Sequence, residues 1–234
     1  HAAPSCKKFC HPIVNFFFTP VHECNSRLRF ERAVENHPRL EGAVTIRRSD
    51  QMPTSFKERL HKGYAQSMEL RGKPIAEEKS QFQRIQIFDS VANGRVMVLD
   101  DIVQITTRDE SAYAEMLTHL PLLEHGRASR VMIVGGGDLS IADEALKHRG
   151  VKEVILVDID GRVVELCREH FGEINAKAFK DRRLKIEIAD AFEFLGRPEN
   201  KGRFDLIVAD RPDPVGPGKA LFGETFYERV RAAL

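Results

Sequence analysis

Acidic residues follow three apolar segments of the sequence, each at the point where a predicted strand ends. Asp138 follows one apolar segment and three glycines, Asp158 ends the next, and Asp210 comes directly after the last. Because ligands of open α/β sheets bind at the carboxyl ends of the strands, we expect these carboxylates to lie around one pocket. Carboxylates suit a ligand that carries hydroxyls and positive charge, and they would repel a phosphate.

The glycine run Gly135–Gly137 lets the backbone approach a ligand closely, because glycine has no Cβ. The run does not match the dinucleotide pattern, since Leu139 and Ser140 follow Asp138. A tight structural turn is therefore one interpretation and a nucleoside site the other. Asp158 favours the nucleoside site, because an acid about 20 residues beyond the glycines takes ribose hydroxyls. The alternative interpretation of Asp158 is a solvated carboxylate at the end of a strand, without a ligand.

Asp138 would crowd a pyrophosphate, so an adenosine carried by a sulfonium fits this pattern better than a dinucleotide. A second pair of carboxylates lies in a loop that prolines at positions 212, 214 and 217 stiffen. Asp210 and Asp213 are three residues apart in this loop. A simple turn would explain the spacing, but its position after a buried strand favours a functional loop.

The composition narrows the class of protein. The 234 residues are 42% hydrophobic and 30% charged, with a net charge of +1, which argues against nucleic acid or an anionic membrane as the main partner. No apolar run approaches the ~20 residues that a membrane-spanning helix needs. Cys6, Cys10 and Cys24 lack the paired spacing of structural zinc sites. We therefore predict no metal site and a reducing, cytoplasmic location.

The pattern of apolar residues predicts an α/β fold in two domains after a leader. Residues 1–62 form a leader of uncertain structure. Residues 63–108 form a small antiparallel β domain, in which Asn93-Gly94 is a hairpin signal. Strands and helices alternate through 109–234, which indicates a Rossmann-like domain with a mostly parallel sheet. Only four parallel strands are predicted, so we expect a C-terminal truncation of this domain and a longer natural protein.

Taken together, the motifs between Gly63 and Leu234 resemble those of the polyamine aminopropyltransferase family, of which spermidine synthase is the best-known member. The motifs that carry the resemblance are Glu78–Gln83, Gly94–Asp100, Gln104, Arg108–Glu110, Tyr113, His119–Pro121, Gly135–Asp138, Val157–Asp160, Asp190–Phe194 and Asp210–Pro217. The resemblance implies a methyltransferase-like Rossmann domain and a homo-oligomer, either a homodimer or a homotetramer. It implies aminopropyl transfer from decarboxylated S-adenosylmethionine, a co-substrate, to putrescine, giving spermidine and methylthioadenosine without a further cofactor.

The resemblance also assigns roles to individual residues. The implied donor-binding residues are Gln83, Gln104, Gly135, Gly137, Asp138, Asp158 and Asp190. Among them, Asp158 holds the ribose, Asp190 the adenine amino group and Asp138 the amine of the aminopropyl chain, while the two glutamines line the nucleoside and aminopropyl region. Asp210, with Tyr113, orients and deprotonates the attacking amine. Asp213 and Tyr113 hold the diamine.

The sequence departs from the family pattern at two places. Leu139 and Ser140 replace two glycines, which we expect to narrow the donor pocket. Arg211 replaces a small hydroxyl residue and adds a positive charge near a site for cations. Two other functions stay open: an amine N-methyltransferase that uses intact S-adenosylmethionine, against which Asp138 argues, and an inactive homologue or fragment with a binding role. The sequence does not distinguish putrescine from agmatine or spermidine as acceptor.

Overall fold

A computed structural model describes residues 55–211 and 220–234 of the chain. The strands are β1 (Ser55–His61), β2 (Tyr64–Glu69), β3 (Ala76–Lys79), β4 (Arg84–Ser90), β5 (Gly94–Leu99), β6 (Ile102–Thr106), β7 (Arg130–Gly135), β8 (Glu153–Asp158), β9 (Leu184–Ile188) and β10 (Leu206–Asp210). The helices are α1 (Glu110–His125), α2 (Ser140–Leu146), α3 (Gly161–His170), α4 (Gly172–Asn175), α5 (Ala191–Leu195) and α6 (Glu224–Ala233).

The second half of the described chain forms a parallel sheet in the order β10-β7-β8-β9. Strands β7, β8 and β10 are mostly buried and apolar because helices cover both faces of the sheet, whereas the edge strand β9 has exposed and half-exposed positions. Val131, Ile133 and Leu156 face a core that α1 and α2 contribute to, whereas Met132 and Ile155 face a core formed with α5 and α6. The predicted methyltransferase-like Rossmann domain with a mostly parallel sheet is confirmed.

The first half forms a four-stranded antiparallel sheet in the order β3-β4-β5-β6 and a separate β1–β2 hairpin. The predicted hairpin at Asn93-Gly94 is confirmed by the pairing of β4 with β5. Gly94 has φ +69°, and a Cβ there would lie 2.2 Å from Thr107 Oγ1, so both its conformation and its surroundings require glycine. Strand β1 lies within residues 1–62, where the sequence indicated no regular structure.

The small antiparallel sheet buries both of its faces. Ile85, Ile87 and Met97 on one face pack with residues of α3 and with Phe171. Phe88, Val96 and Val98 on the other face pack against the β1–β2 hairpin, where the rings of Phe56 and Phe88 lie 5.3 Å apart. The first of these contacts fixes the small sheet against the helix that follows β8.

Leu139 occupies a strained backbone position. Its φ is +68°, and its side chain is fully buried in the core with Ile141 and Ala142. The left-handed conformation costs roughly 1–2 kcal/mol for a residue with a Cβ, and burial of a leucine side chain contributes about 1.5–3 kcal/mol in return. Because this side chain points into the core, the expectation that Leu139 narrows the donor pocket is wrong.

Cys167 lies in the core, and its Sγ lies 3.6 Å from Met97 Sδ. Across residues 55–211 and 220–234, no set of three or more His, Cys, Asp or Glu side chains is arranged to hold a metal ion. Cys6, Cys10 and Cys24 lie outside the described residues. No helix in the same ranges is long and apolar enough to span a membrane. The cytoplasmic location stays a prediction.

Candidate active site

The glycine turn after β7 passes between the carboxylates of two neighbouring strands. A Cβ on Gly135 would lie 2.0 Å from the backbone oxygen of Asp210, and one on Gly137 would lie 2.8 Å from Asp158 Oδ2. Gly135 and Gly136 also have positive φ angles of 77° and 71°. Any larger residue would therefore push the strand ends apart. The glycine run Gly135–Gly137 therefore forms a tight structural turn, which was one of its two interpretations. The turn also brings the carboxylates of Asp138, Asp158 and Asp210 close together.

Asp138 follows this turn and lies two residues before the start of α2. Its Oδ1 accepts a hydrogen bond of 2.7 Å from the backbone N–H of Ser140. Its backbone oxygen accepts another, of 3.0 Å, from Nδ2 of the buried Asn175. These bonds fix the carboxylate of Asp138 in the same region as those of Asp158 and Asp210.

Burial raises the pKa values of all three carboxylates, and neighbouring negative charges add to this effect at Asp158 and Asp210. Burial, the nearby charge of Asp138 and that of Asp158 raise the pKa of Asp210 to about 7. Burial is the main reason why the pKa of Asp158 rises to about 6 and why that of Asp138 also rises. Glu110, at the start of α1, is a further carboxylate near this group, and its pKa is raised by burial and by Glu144 and Asp138. A cation in the site would relieve this repulsion.

Tyr113 connects α1 to the end of β10. Its hydroxyl donates a hydrogen bond of 2.7 Å to Asp210 Oδ1. Burial of the hydroxyl end and the charge of Asp210 raise the pKa of Tyr113, so it stays protonated and remains a donor. Helix α1 is held on α2 partly by His119, whose Nε2 lies 3.0 Å from Glu144 Oε2. The predicted pairing of Tyr113 with Asp210 is therefore present in the structure.

A second group of residues lies at the ends of β8 and β9. Asp190 caps α5 by accepting a bond of 2.8 Å from the backbone N–H of Phe192. Ile188 pairs in register with Asp158, and 54% of its surface is exposed. A Cβ on Gly161 would lie 3.3 Å from Ile188 Cγ2, so glycine keeps the space beside that side chain open. An exposed apolar side chain between two carboxylates suits a flat ring with polar edges.

The two predicted glutamines differ in their surroundings. Gln83 Nε2 donates a bond of 2.9 Å to Asp160 Oδ2, two residues after Asp158. Gln104 is exposed on β6, and its Nε2 donates to Ile102 O at 3.2 Å on the same strand. The structure thus connects Gln83 to the strand-end group, and the contact found for Gln104 is local.

Asp213 lies outside the described residues. Arg211 stacks on Phe222, with its guanidinium carbon 3.9 Å from the ring centre, and donates a bond of 2.7 Å to the hydroxyl of Tyr227. It also donates to Leu221 O. The charge that the sequence places near the cation site is thus engaged by residues at and before α6.

Sequence reasoning assigned no role to Asp160 or Ile188. Asp160 directly precedes helix α3 and accepts from Arg162 N, so its signal is that of an N-cap residue. Ile188 is an apolar residue at the end of a strand with mostly exposed or half-exposed positions. A helix N-cap and an apolar strand end are common sequence features that do not by themselves indicate function. Asp160 and Ile188 belong to this site only because the small sheet and β9 pack beside it.

Comparison with known protein families divides the chain into two matched parts. Residues 56–107 match the spermidine synthase tetramerisation domain, and residues 110–234 match the spermine/spermidine synthase domain. The polyamine aminopropyltransferase 1 of Pseudomonas aeruginosa is 41% identical over 181 residues, which cover 77% of this chain and 62% of the relative. A polyamine aminopropyltransferase of a Ruegeria species is 45% identical over 177 residues, which cover 76% of this chain and 61% of that one.

Solved structures agree with these matches. A crystal structure of spermidine synthase in complex with the transition-state analogue AdoDATO superposes with a TM-score of 0.74 at 35% identity, covering 78% of this chain and 63% of that one. The spermidine synthase of Thermotoga maritima superposes with a TM-score of 0.72 at 34% identity, covering 78% of this chain and 62% of that one. The chain therefore spans about three fifths of the length of the relatives it matches.

The charge of Asp210 should make the fold less stable as the pH rises. Its folded pKa of about 7 lies above the ~3.9 of an unfolded aspartate, so between these values the folded state holds a proton that the unfolded state has lost. The free energy of unfolding therefore falls as the pH rises through this window. We expect Asp210→Asn to be more stable than the wild type at high pH, by up to about 4 kcal/mol, and the difference to shrink towards pH ~4.

Urea denaturation at several pH values measures this difference. Asp205→Asn is the matched control. Burial raises the pKa of Asp205, but hydrogen bonds from the side chain and backbone of Arg130 and the backbone of Ser129 outweigh that effect and leave it low. The control should therefore lose stability at high pH. A loss of stability in Asp210→Asn at high pH would contradict the prediction.

Proposed function

The chain belongs to the spermine/spermidine synthase family, and from this premise we propose that it transfers the aminopropyl group of decarboxylated S-adenosylmethionine to putrescine. The products are spermidine and methylthioadenosine. The observation that carries the proposal is the hydrogen bond from Tyr113 to Asp210 beside two further strand-end carboxylates. The donor carries a sulfonium and an ammonium, and the acceptor carries two ammonium groups. A group of carboxylates neutralises these charges and keeps the two substrates together.

The nucleoside of the donor fits the group at the ends of β8 and β9. Asp158 accepts from the ribose hydroxyls and Asp190 from the adenine amino group, with Ile188 against the ring face. Asp138 takes the ammonium of the aminopropyl chain, and Gly135 and Gly137 leave room for the donor beside the turn. Gln83 and Gln104 line the nucleoside and aminopropyl region. For Gln104 the support is the family resemblance, since its contact in the structure is local.

Asp210 acts as the general base. An alkylammonium has a pKa near ~10 and no free lone pair at neutral pH, so the acceptor nitrogen must lose a proton before it attacks. A pKa of about 7 places Asp210 near the optimum for such a base. The nitrogen then forms a bond to the methylene carbon next to sulfur, the carbon–sulfur bond breaks, and its electron pair stays on sulfur. The proton goes to Asp210.

Tyr113 orients Asp210 and lies beside the acceptor, and Asp213 contributes charge that holds the diamine. Holding the acceptor nitrogen in line with the carbon–sulfur bond of the donor lowers the activation barrier, since proximity and orientation are worth up to ~7–11 kcal/mol. The donor is a co-substrate, and this displacement uses no further cofactor.

We propose that the protein forms a homo-oligomer through residues 55–106. The match to a tetramerisation domain supports this, as does strand β2, whose positions are almost all exposed. Open strand edges are sites for pairing. Static light scattering on the full-length protein at micromolar concentration should give the mass of a dimer or tetramer, and a monomer alone would contradict the proposal.

The donor should be the decarboxylated form, because Asp138 is placed to pair with an amine and would repel a carboxylate. Titration calorimetry should show decarboxylated S-adenosylmethionine binding at least roughly tenfold more tightly than S-adenosylmethionine, since juxtaposed like charges cost several kcal/mol at an interface. Asp138→Asn should narrow this gap. Equal or tighter binding of the carboxylated donor would favour the N-methyltransferase.

Loss of the base should slow turnover without weakening donor binding. Asp210→Asn keeps the shape of the side chain and an acceptor for Tyr113 but no longer takes a proton. We expect kcat to fall roughly 10²–10⁴-fold with little change in donor affinity. Wild-type kcat should rise with pH through about 7 as Asp210 loses its proton, whereas the variant should recover part of its activity at higher pH, where more of the amine arrives neutral.

Asp213→Asn is the comparison variant, and it should act mainly on the apparent affinity for putrescine. A near-normal kcat for Asp210→Asn at neutral pH would remove the assignment. The absence of donor binding in the wild type would instead favour an inactive homologue.

A further inference from the structure

Asp160 joins the small antiparallel sheet to the parallel sheet through its side chain. Only 2% of its surface is exposed. Its Oδ2 accepts hydrogen bonds of 2.6 Å from Ser80 Oγ and 2.9 Å from Gln83 Nε2, both in the connection between β3 and β4. Its Oδ1 accepts from the backbone N–H of Arg162 at 3.1 Å. One buried carboxylate thus holds two segments that are about 80 residues apart in the chain.

The same residue also contacts the carboxylate of Asp158. The backbone N–H of Asp160 donates a bond of 2.8 Å to Asp158 Oδ1. Asp160 therefore contacts Gln83 with its side chain and Asp158 with its backbone. Arg162 reinforces the connection, because its guanidinium pairs with both carboxylate oxygens of Glu78, at 2.5 and 3.2 Å.

The chemistry of the two side chains fixes the orientation of the Gln83 amide. An ionised carboxylate only accepts hydrogen bonds, whereas a glutamine amide has a donor end and an acceptor end. Gln83 must therefore turn Nε2 towards Asp160, and its Oε1 is left to accept a bond from another group. Ser80 supports this geometry, since its Oγ also accepts from the backbone N–H groups of Phe82 and Gln83 at 3.1 Å.

We propose that Asp160 is a positioning residue for the donor: it orients the Gln83 amide so that Oε1 accepts a hydrogen bond from the bound nucleoside. The inference rests on the proposed function, because it takes Gln83 and Asp158 as donor-binding residues. Beyond the proposed function, it assigns a role to a residue that does not touch the substrate, and it defines the direction in which the Gln83 amide points. The small sheet thereby contributes a polar contact to a site that the parallel sheet otherwise forms.

The test is the affinity for methylthioadenosine, measured by titration calorimetry on the full-length protein. In Asp160→Asn, the new amide donates towards Gln83, whose own amide must then turn its oxygen inward and present Nε2 to the ligand. We expect roughly 3–10-fold weaker binding, the range for loss of one net hydrogen bond. Gln83→Glu places two carboxylates together and should weaken binding at least as much.

The double variant Asp160→Asn, Gln83→Glu should recover the affinity to within about threefold of the wild type. The introduced amide donates to one oxygen of the introduced carboxylate, and the other oxygen is again an acceptor towards the ligand. A purely structural role for Asp160 predicts no such recovery. Wild-type affinity in Asp160→Asn, or a double variant that binds no better than either single variant, would overturn the inference and leave the proposed function intact.

A second measurement covers the case in which Asp160→Asn does not fold. Gln83→Glu retains Asp160, and its introduced carboxyl has a raised pKa beside that carboxylate. When protonated, this carboxyl donates to Asp160 and presents its carbonyl oxygen as the glutamine does. The ratio of wild-type to variant affinity should therefore approach one as the pH is lowered from about 8 to about 5.5. A constant ratio overturns the inference.

Asp205→Asn is again the matched control, because Asp205 binds backbone N–H groups of Ser129 and Arg130 at the start of β7, at the opposite end of the strands from the site. It should lower the melting temperature and leave the affinity for methylthioadenosine unchanged. If the wild type itself does not bind methylthioadenosine, the proposed function fails and the inference fails with it. These two failures are therefore distinguishable in one set of titrations.

Discussion

The carboxylates of Asp138, Asp158 and Asp210 are held together around the glycine turn, and the rest of the site depends on this repulsive arrangement. The sheet order makes β10, β7 and β8 neighbours, so the chain has no freedom to separate the three groups. Hydrogen bonds from Tyr113, from the backbone N–H groups of Asp160 and Ser140, and from that of Gly137 compensate only in part, since all three pKa values remain raised. The negative charge that these hydrogen bonds leave uncompensated is complementary to a cation.

Two kinds of contact hold the small sheet in place, and they do different things. Apolar contacts of Ile87 and Met97 with Phe171 bury surface without fixing a direction. The polar contacts of Ser80 and Gln83 with Asp160 are directional, and they lie next to the carboxylates rather than in the middle of the interface. The orientation of the small sheet is thus specified most tightly where it contributes to the site.

The sequence predicted those features that depend on neighbours along the chain. Alternating and continuous apolar runs located the strands from β4 onward, and the acidic strand ends located Asp158 and Asp210. Contacts that depend on distant segments were missed: the cap residue Asp160 reaches Gln83, and the side chain of Arg211 turns towards Tyr227. Strand β1 was also missed, because its apolar partner Phe88 belongs to another hairpin and the strand has no apolar period of its own.

Charge also bears on the course of the proposed reaction. Before transfer, the sulfonium and the ammonium of the donor and the two ammonium groups of the acceptor neutralise the carboxylates. After transfer, methylthioadenosine is uncharged, and the positive charge has moved to spermidine and to the proton on Asp210. Of the proposed contacts, the nucleoside product then keeps only those with Asp158, Asp190 and Ile188, while the polyamine keeps those with Asp138 and Asp210. In the proposed reaction, the carboxylates therefore lose their charge attraction to the nucleoside as soon as the carbon–sulfur bond breaks.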